Sequence, residues 1–384
     1  MKFYLNDDEI MLRDSVDRFL QDSYPFEFRQ KNIADEEGCS ASVWQQFADL
    51  GWLGASVPDL YGGANLGPGA TMTIMQSLGK TLVTEPYLTS SIFGGELIHR
   101  FGNEAQKSEI LPALIAGQQK ITLAYAEQGS RYSLNNISVT ATSAANGNKS
   151  DDLSAYTING AKGLVINANT ADKIVVSTRT SGDRIDDNGI SLFMIDRDAI
   201  GLSFKDYLTY DGLRASEMFL DNVVVNSDQL IGSIDQGHGV LEEIMDRAIA
   251  ALCAEAVGCM SSLFDVTLEY LKTREQFGRK IGSFQALQHR MVDLYMALEN
   301  ARSLVFSATQ SLDSEPEIRQ QEVAAAKIQI NEACHLIGAQ GVQMHGAIAI
   351  TDELPAGHYY KRLAAIAATY GNTDYHLGRF SKKY

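Results

Sequence analysis

Cations are the scarce charged class in this chain of 384 residues: 32 Lys and Arg stand against 48 Asp and Glu, a net charge of −16. That acidity argues against a nucleic-acid partner. No run of eighteen apolar residues occurs, so no membrane insertion is expected. Cysteine is sparse. Cys39, Cys253, Cys259 and Cys334 lack metal-type spacing, read as reduced core residues, and predict no metal site. The start, Met-Lys-Phe-Tyr-Leu-Asn-Asp-Asp-Glu, is acidic and unlike a signal or an Arg/Ser-rich transit peptide. A cytoplasmic location is therefore expected. No Gly-x-Gly-x-x-Gly follows a strand, which excludes a dinucleotide fold of the alternating βαβ type.

What is present changes period twice. Residues 1–118 read as helices, with Ile10, Leu12, Val16 and Leu20 on roughly one face, and with similar patterns over Val43–Leu53 and Ala70–Leu82. Val57–Gly63 is a loop by its Pro and Gly content. Over residues 119–232 the period is two. Ile121–Ala126, Ile137–Thr142, Tyr156–Ile158, Ile174–Ser177, Ile190–Ile195 and Glu217–Val225 predict strands of an antiparallel, barrel-like β domain. Asn146–Lys149 reads as a hairpin tip and Asp183–Gly189 as a polar loop. Residues 233–384 return to helical spacing, which suits a four-helix bundle. The fold class is α+β, ordered helices, strands, helices.

The chain's cations gather where its net charge would not suggest. Between Leu271 and Arg290 stand Lys272, Arg274, Arg279, Lys280 and Arg290 against the single acid Glu275. Such a segment suits an anion such as a pyrophosphate, which Arg grips through parallel hydrogen bonds. Charge alone fits a solvated helix end equally well.

The spacing adds more. Thr-Arg-Glu-Gln-Phe-Gly-Arg-Lys-Ile followed by Phe-Gln-Ala-Leu-Gln-His resembles the signature of the acyl-CoA dehydrogenase family. The three-part order resembles that family over nearly the whole chain. The resemblance implies an FAD cofactor, contacted from a neighbouring subunit by Arg274, Phe277 and Gln285. It also implies FAD contacts at Tyr125, Glu127 and Ser130 in the strand-end loop, and at Val165 and Asn167 within Gly160–Asp172, which resembles the strands backing the isoalloxazine. Gln340–Gly346 resembles the Gln-x-x-Gly-Gly turn that receives the adenosine end of FAD, with Gln340 and Gly341 as its implied contacts. Asn372, Thr373 and Tyr375 complete the implied set. Ala126-Glu-Gln-Gly-Ser-Arg-Tyr132 stands where most members have Thr-Glu-Pro-x-x-Gly-Ser-Asp, and is most similar to the small-subunit pimeloyl-CoA dehydrogenase branch.

The implied reaction removes an α-proton from an acyl-CoA and passes the β-hydride to flavin, giving trans-2-enoyl-CoA. The thioester oxygen needs a donor as it gains charge. Many members carry the base as Glu in Tyr-Glu-Gly-Thr. Here the stretch reads Tyr370-Gly371-Asn372-Thr373, so Gly371 offers only its backbone N–H. A minority, including the isovaleryl and long-chain branches, places the base in a Glu-Arg pair on the bundle helix. Asp246-Arg247 occupies that place and makes Asp246 the candidate base; an ordinary exposed helix acid is the plain alternative. Arg131 and Arg247 are the candidate substrate contacts, Arg131 for a distal carboxyl or CoA phosphates. Implied partners are an electron-transfer flavoprotein and further subunits, as a homotetramer, a dimer or a heteromer. Two rivals remain: a non-catalytic FAD-site subunit of a heteromer, and an oxidase passing electrons to oxygen.

Overall fold

A computed structural model describes residues 5–143 and 155–381 of the protein. The expected hairpin tip at Asn146–Lys149 lies outside the described residues. Helices open the chain: α1 (Asp7–Ser23), α2 (Phe26–Ala34), α3 (Ala41–Asp49), α4 (Pro68–Thr81), α5 (Leu97–Phe101) and α6 (Glu104–Ile115). Asn6 starts α1 because its side chain accepts the Glu9 N–H while Glu9 reaches back to the Asn6 N–H. Asn103 and Gln106 repeat this box at α6. A buried π-helical turn runs over Thr89–Glu96, a geometry the apolar spacing there did not predict.

The strands are β1 (Ile121–Ala124), β2 (Thr140–Ser143), β3 (Tyr156–Ile166), β4 (Lys173–Arg179), β5 (Ile190–Asp196), β6 (Leu202–Leu208), β7 (Arg214–Val225) and β8 (Leu230–Ile231). Among the described residues they form one sheet, ordered β6-β7-β3-β2-β4-β5-β8, with β1 also on β4. The antiparallel expectation needs one correction. β1 and β2 both run parallel to β4, while the other neighbours are antiparallel. The strand β6 was not expected. It pairs only with β7 and alternates between half-buried and exposed residues, so its pattern is weak.

Helix α7 (Gly237–Thr273) follows, then a small hairpin of β9 (Glu275–Gln276) and β10 (Arg279–Lys280). The chain ends with α8 (Gln285–Gln310), α9 (Pro316–His345), α10 (Pro355–Ala368) and α11 (Thr373–Ser381). Among the described residues one helix, α7, is long and apolar enough to cross a membrane, although it holds no unbroken run of eighteen apolar residues. Of its most apolar window 72% is buried, so interior packing accounts for its character. The four cysteines are free and buried as expected, and burial pushes Cys39 up to about 11 and Cys253 and Cys334 to about 12.

By packing, the chain divides into two compact units. One comprises residues 1–34, 68–84 and 246–384, and the other residues 35–67 and 85–245. The first unit is helical. Its α4 meets α7 at glycines: a Cβ on Gly79 would stand 2.1 Å from the Glu255 carbonyl oxygen, and one on Gly258 2.0 Å from that of Gln76. Only glycine allows backbones to approach so closely. A bidentate Arg362–Glu255 pair ties α10 to α7 in the same unit. The second unit holds the sheet with α3, α5 and α6.

Candidate active site

In the helical unit the chain turns sharply between α10 and α11. Tyr370 (φ +58°) and Gly371 (φ +124°) both have positive φ, a costly backbone for any residue but glycine. The turn is held from several sides. Tyr370 O accepts from His376 Nε2 at 3.0 Å, and Gly371 O accepts from Asn331 Nδ2 at 3.3 Å. Asn331 is steadied by the buried Lys327, whose Nζ donates to Asn331 Oδ1 (2.7 Å) and Ile366 O (2.6 Å). Asn372 Oδ1 accepts the Tyr375 N–H and starts α11. Gly371 is buried, yet its N–H donates to no described group. Buried amides are nearly always paired, so a free one is suited to an acceptor brought by a ligand.

No side chain fits at Gly371. A Cβ there would lie 2.3 Å from His376 Nε2 and 2.6 Å from Tyr375 Cδ1. His376 has no exposed surface. A carbonyl can only accept, so Nε2 carries the proton and Nδ1 is bare; Nδ1 is buried without a partner among the described residues. Burial lowers the imidazole pKa to about 3, with Arg379 and Lys327 adding to the effect, and the ring is neutral near pH 7. The sign of the linkage follows. A depressed folded pKa gives stability that is complete above the unfolded value of 6.5 and is lost as pH falls toward 3. Each pH unit in that window costs about 1.4 kcal/mol for this one group. Denaturant midpoints measured from pH 7 to pH 4 are expected to fall more steeply in the wild type than in His376→Gln.

On α7, Asp246 has no exposed surface. Its Oδ2 accepts from Arg319 Nε at 3.1 Å and its Oδ1 from Arg379 Nη2 at 2.7 Å. Arg247 is also buried and donates to Leu312 O (3.1 Å) and Asp313 Oδ1 (2.5 Å). The small residues that share a face with Asp246, namely Ala250, Cys253 and Val257, are all buried. Asp374 is exposed.

In the sheet unit the strand-end loop is built on a buried ion pair. Glu127 Oε1 lies 2.7 Å from Lys162 Nζ, and its carboxylate also accepts from the Ser138 hydroxyl, the Ser138 N–H (2.7 Å) and the Val139 N–H (3.1 Å). Lys162 Nζ also meets Ser177 Oγ (3.0 Å) and Tyr125 O (3.4 Å). Desolvation raises the Glu127 pKa, but the charge and hydrogen bond of Lys162 together with the Ser138 hydrogen bonds outweigh it, and the net shift is downward. Desolvation lowers Lys162 to about 8 against the pull of Glu127. The Glu127 side chain is thus turned inward, so any cofactor contact from residue 127 falls to its backbone. Ser130 Oγ closes the loop by donating to Glu127 O at 2.8 Å. Beside it β3 bulges between Lys162 and Val165, and Gly163 N–H donates to Ala126 O. Leu164 (φ +51°) and Asn167 (φ +56°) bracket the buried Val165 there. Bulges and left-handed residues mark sites where a strand is re-aimed. Arg131 is exposed, with φ +50°.

The basic segment is an exposed hairpin. Phe277 at its tip is 88% exposed with φ +55° and meets Phe284 edge-on. Arg279 stacks on Phe284 at 4.1 Å. Gln285 begins α8 and is exposed. Among the described residues Arg274, Arg279 and Lys280 have no ion pair, so their charges are available to an anion from outside. A cavity of about 610 Å³ lies against the hairpin, lined by the apolar Leu268, Leu271 and Met291 and by the polar Lys272, Lys280 and Gln288. Free cations and aromatic rings beside an apolar hollow fit a dinucleotide's phosphates and rings. Of the turn expected over Gln340–Gly346 only the end is a turn: α9 continues to His345, so Gln340 and Gly341 lie in its last turns, and Gly346 (φ +71°) breaks it. Gln340 Oε1 accepts from Arg290 at 3.3 Å.

Lys162, Arg319, Asn331 and Arg379 escaped the sequence reading as site-builders. A Lys inside an apolar strand is a signal that could have found Lys162. The arginines carry no such local mark.

The chain matches the family models for the acyl-CoA dehydrogenase N-terminal domain over residues 6–118, the middle domain over 122–223 and the C-terminal domain over 235–384. It is 27% identical over 363 residues to mitochondrial isovaleryl-CoA dehydrogenase of Pongo abelii, covering 93% of this chain and 84% of the relative. Among solved structures, a variant of the Tcur3481-Tcur3483 steroid ACAD superposes with a TM-score of 0.86 at 26% identity, covering 97% of this chain and 96% of that one. The FAD complex of PigA superposes with a TM-score of 0.89 at 25% identity, covering 100% and 99%.

Proposed function

Because the chain belongs to the acyl-CoA dehydrogenase family of flavoprotein oxidoreductases, we propose that it takes part in the FAD-dependent α,β-dehydrogenation of an acyl-CoA thioester to the trans-2-enoyl-CoA, with electrons leaving to an electron-transfer flavoprotein. The observation that carries this reading is the buried, unpaired N–H of Gly371. It would donate to the thioester oxygen as that atom gains charge, a role that needs no side chain. Bound FAD supplies the hydride acceptor. Arg274, with Lys280, would hold its pyrophosphate, and Phe277 and Gln285 would flank it. The strand-end backbone at Tyr125, Glu127 and Ser130, with Val165 and Asn167 on β3, would cradle the ring system, and Asn372, Thr373 and Tyr375 would border it. Gln340 and Gly341 would meet the adenosine end from helix α9. Exposed Arg131 would meet the CoA phosphates or a distal carboxyl.

Gly371 carries no base, and both oxygens of Asp246 are engaged by arginines. We therefore place the base on a second, related chain of a heteromeric assembly. The name of the similar steroid ACAD likewise couples two proteins. A second reading keeps Asp246 as the base. Its place beside Arg247 on α7 favours it, and it requires Arg379 to move away first.

Anaerobic titration of the purified chain with acyl-CoAs of differing length and branching tests both. The expected result is bound FAD whose absorption band shifts with ligand but bleaches only when a related subunit is co-purified. Bleaching at turnover rates by this chain alone would remove the heteromer reading. A protein without FAD and without any thioester response would remove the proposed function.

A further inference from the structure

We propose that Asp246 is a positioning residue: its carboxylate latches the C-terminal helix and thereby aims the Gly371 amide. This rests on the thioester-binding role proposed for that amide. Arg379 reaches Asp246 Oδ1 from α11, and Arg319 reaches Oδ2 from the first turns of α9. Three elements distant in sequence thus converge on one buried carboxylate. The pairs are separated by 73 and 133 residues.

The mechanical link from Arg379 to Gly371 is short and stiff. Helix α11 begins at Thr373, two residues after Gly371, and is capped by Asn372. The same helix carries His376, whose Nε2 donates to Tyr370 O and whose ring fills the space beside Gly371. On the other side Asn331, set by Lys327, holds Gly371 O. The peptide at Gly371 is therefore clamped between α9 and α11. Moving α11 would rotate a turn whose backbone is already in a sparsely populated conformation. Asp246 is what fastens α11 and the start of α9 to α7.

A general base must come within about 3 Å of the proton it takes. Asp246 has no exposed surface, and a guanidinium donor occupies each oxygen. That geometry suits an anchor. A buried ion cluster broken at one member leaves uncompensated charge, so a double variant is needed to separate that charge from the lost latch. Asp246→Asn leaves Arg319 and Arg379 facing each other across an amide. Asp246→Asn with Arg379→Gln restores the wild-type net charge of the cluster and leaves Arg319 a carbonyl oxygen to meet.

The test uses the full chain with FAD, and with its co-purifying subunit if one exists. The probe is an acyl-CoA with sulfur in place of the β-carbon, which has no β-hydride to give. Three quantities are read: binding of the probe from the flavin spectrum, hydrogen exchange of the 369–381 segment by mass spectrometry, and flavin reduction by the corresponding acyl-CoA that keeps its β-carbon. Asp246→Asn is expected to weaken probe binding about tenfold or more and to speed exchange of that segment. The double variant, which carries the wild-type net charge but no Arg379 latch, is expected to keep both changes, and a return of both to wild-type values would show that unbalanced charge and not a lost latch had loosened α11, overturning the proposal. Normal binding and exchange in Asp246→Asn, with flavin reduction lost in both variants, would overturn the latch and make Asp246 the base. Normal values throughout would overturn both roles. Wild-type protein that exchanges as expected but never binds the probe would instead remove the functional reading and leave the latch standing. Should Asp246→Asn not fold, Arg379→Lys carries the test, since a latch predicts faster exchange of residues 369–381 there too, and unchanged exchange would overturn it.

Discussion

Glu127→Ala is expected to lower the unfolding free energy by about 3–5 kcal/mol. The pair with Lys162 is nearly solvent-free, at 2% and 0% side-chain exposure. Removing the carboxylate leaves the ammonium with only Ser177 Oγ and Tyr125 O, and leaves the Ser138 and Val139 amides without their acceptor. A buried charge stripped of its counter-ion costs far more than an exposed pair is worth. The loss should exceed the effect of replacing both residues by apolar ones of similar size, Glu127→Leu with Lys162→Met, because that double leaves no charge behind. Urea unfolding of the three proteins checks this. Equal destabilisation of single and double would show that packing, and not charge, is the source. The same pair depresses the Glu127 pKa, so its stabilisation is present above the ordinary carboxylate range and is lost as pH falls through the folded value.

Gly371→Glu is expected to destabilise the protein and to confer no base. If the residue were merely missing, restoring it should create proton-abstracting activity. The geometry forbids that. The first side-chain carbon would collide with His376 and Tyr375, and a φ of +124° is strained for any L side chain. Strain and overpacking together suggest a loss of about 2–4 kcal/mol. Thermal unfolding and anaerobic flavin bleaching by an acyl-CoA are the two readouts. A well-folded Gly371→Glu that bleaches faster than wild type would show that His376 yields and that the turn is an ordinary base position left vacant. Gly371→Ala separates the causes, since it keeps the backbone strain and the first contact but adds no charge.

The elements with strong periodicity were legible from residues alone. Helix α1 and strand β7 follow where apolar spacing put them, because one face of each is buried, while β4 and β5, buried on both faces, were legible as short apolar runs. Strand β6 was not legible, since an edge strand buries little on either face and need not alternate cleanly. The parallel pairing of β1 and β2 with β4 was not legible either. Period two says that a segment is a strand; it says nothing of its neighbour's direction. The adenosine-side turn expected over Gln340–Gly346 proved to be helix up to His345, with the break only at Gly346.

The sequence by itself determined the order of helices, strands and helices, the concentration of cations at residues 272–290, and the absence of a side chain at Gly371. Each is a property of neighbours along the chain, where spacing and residue type are sufficient. Only the tertiary structure decided what those residues face. It turned Glu127 inward onto Lys162, brought Arg319 and Arg379 onto Asp246, and filled the space at Gly371 with His376. The physical reason is the range of the interactions. A helical face or a strand edge is encoded within a few residues, whereas the partner of a buried charge is chosen by packing between elements far apart in sequence, and desolvation makes that choice decisive.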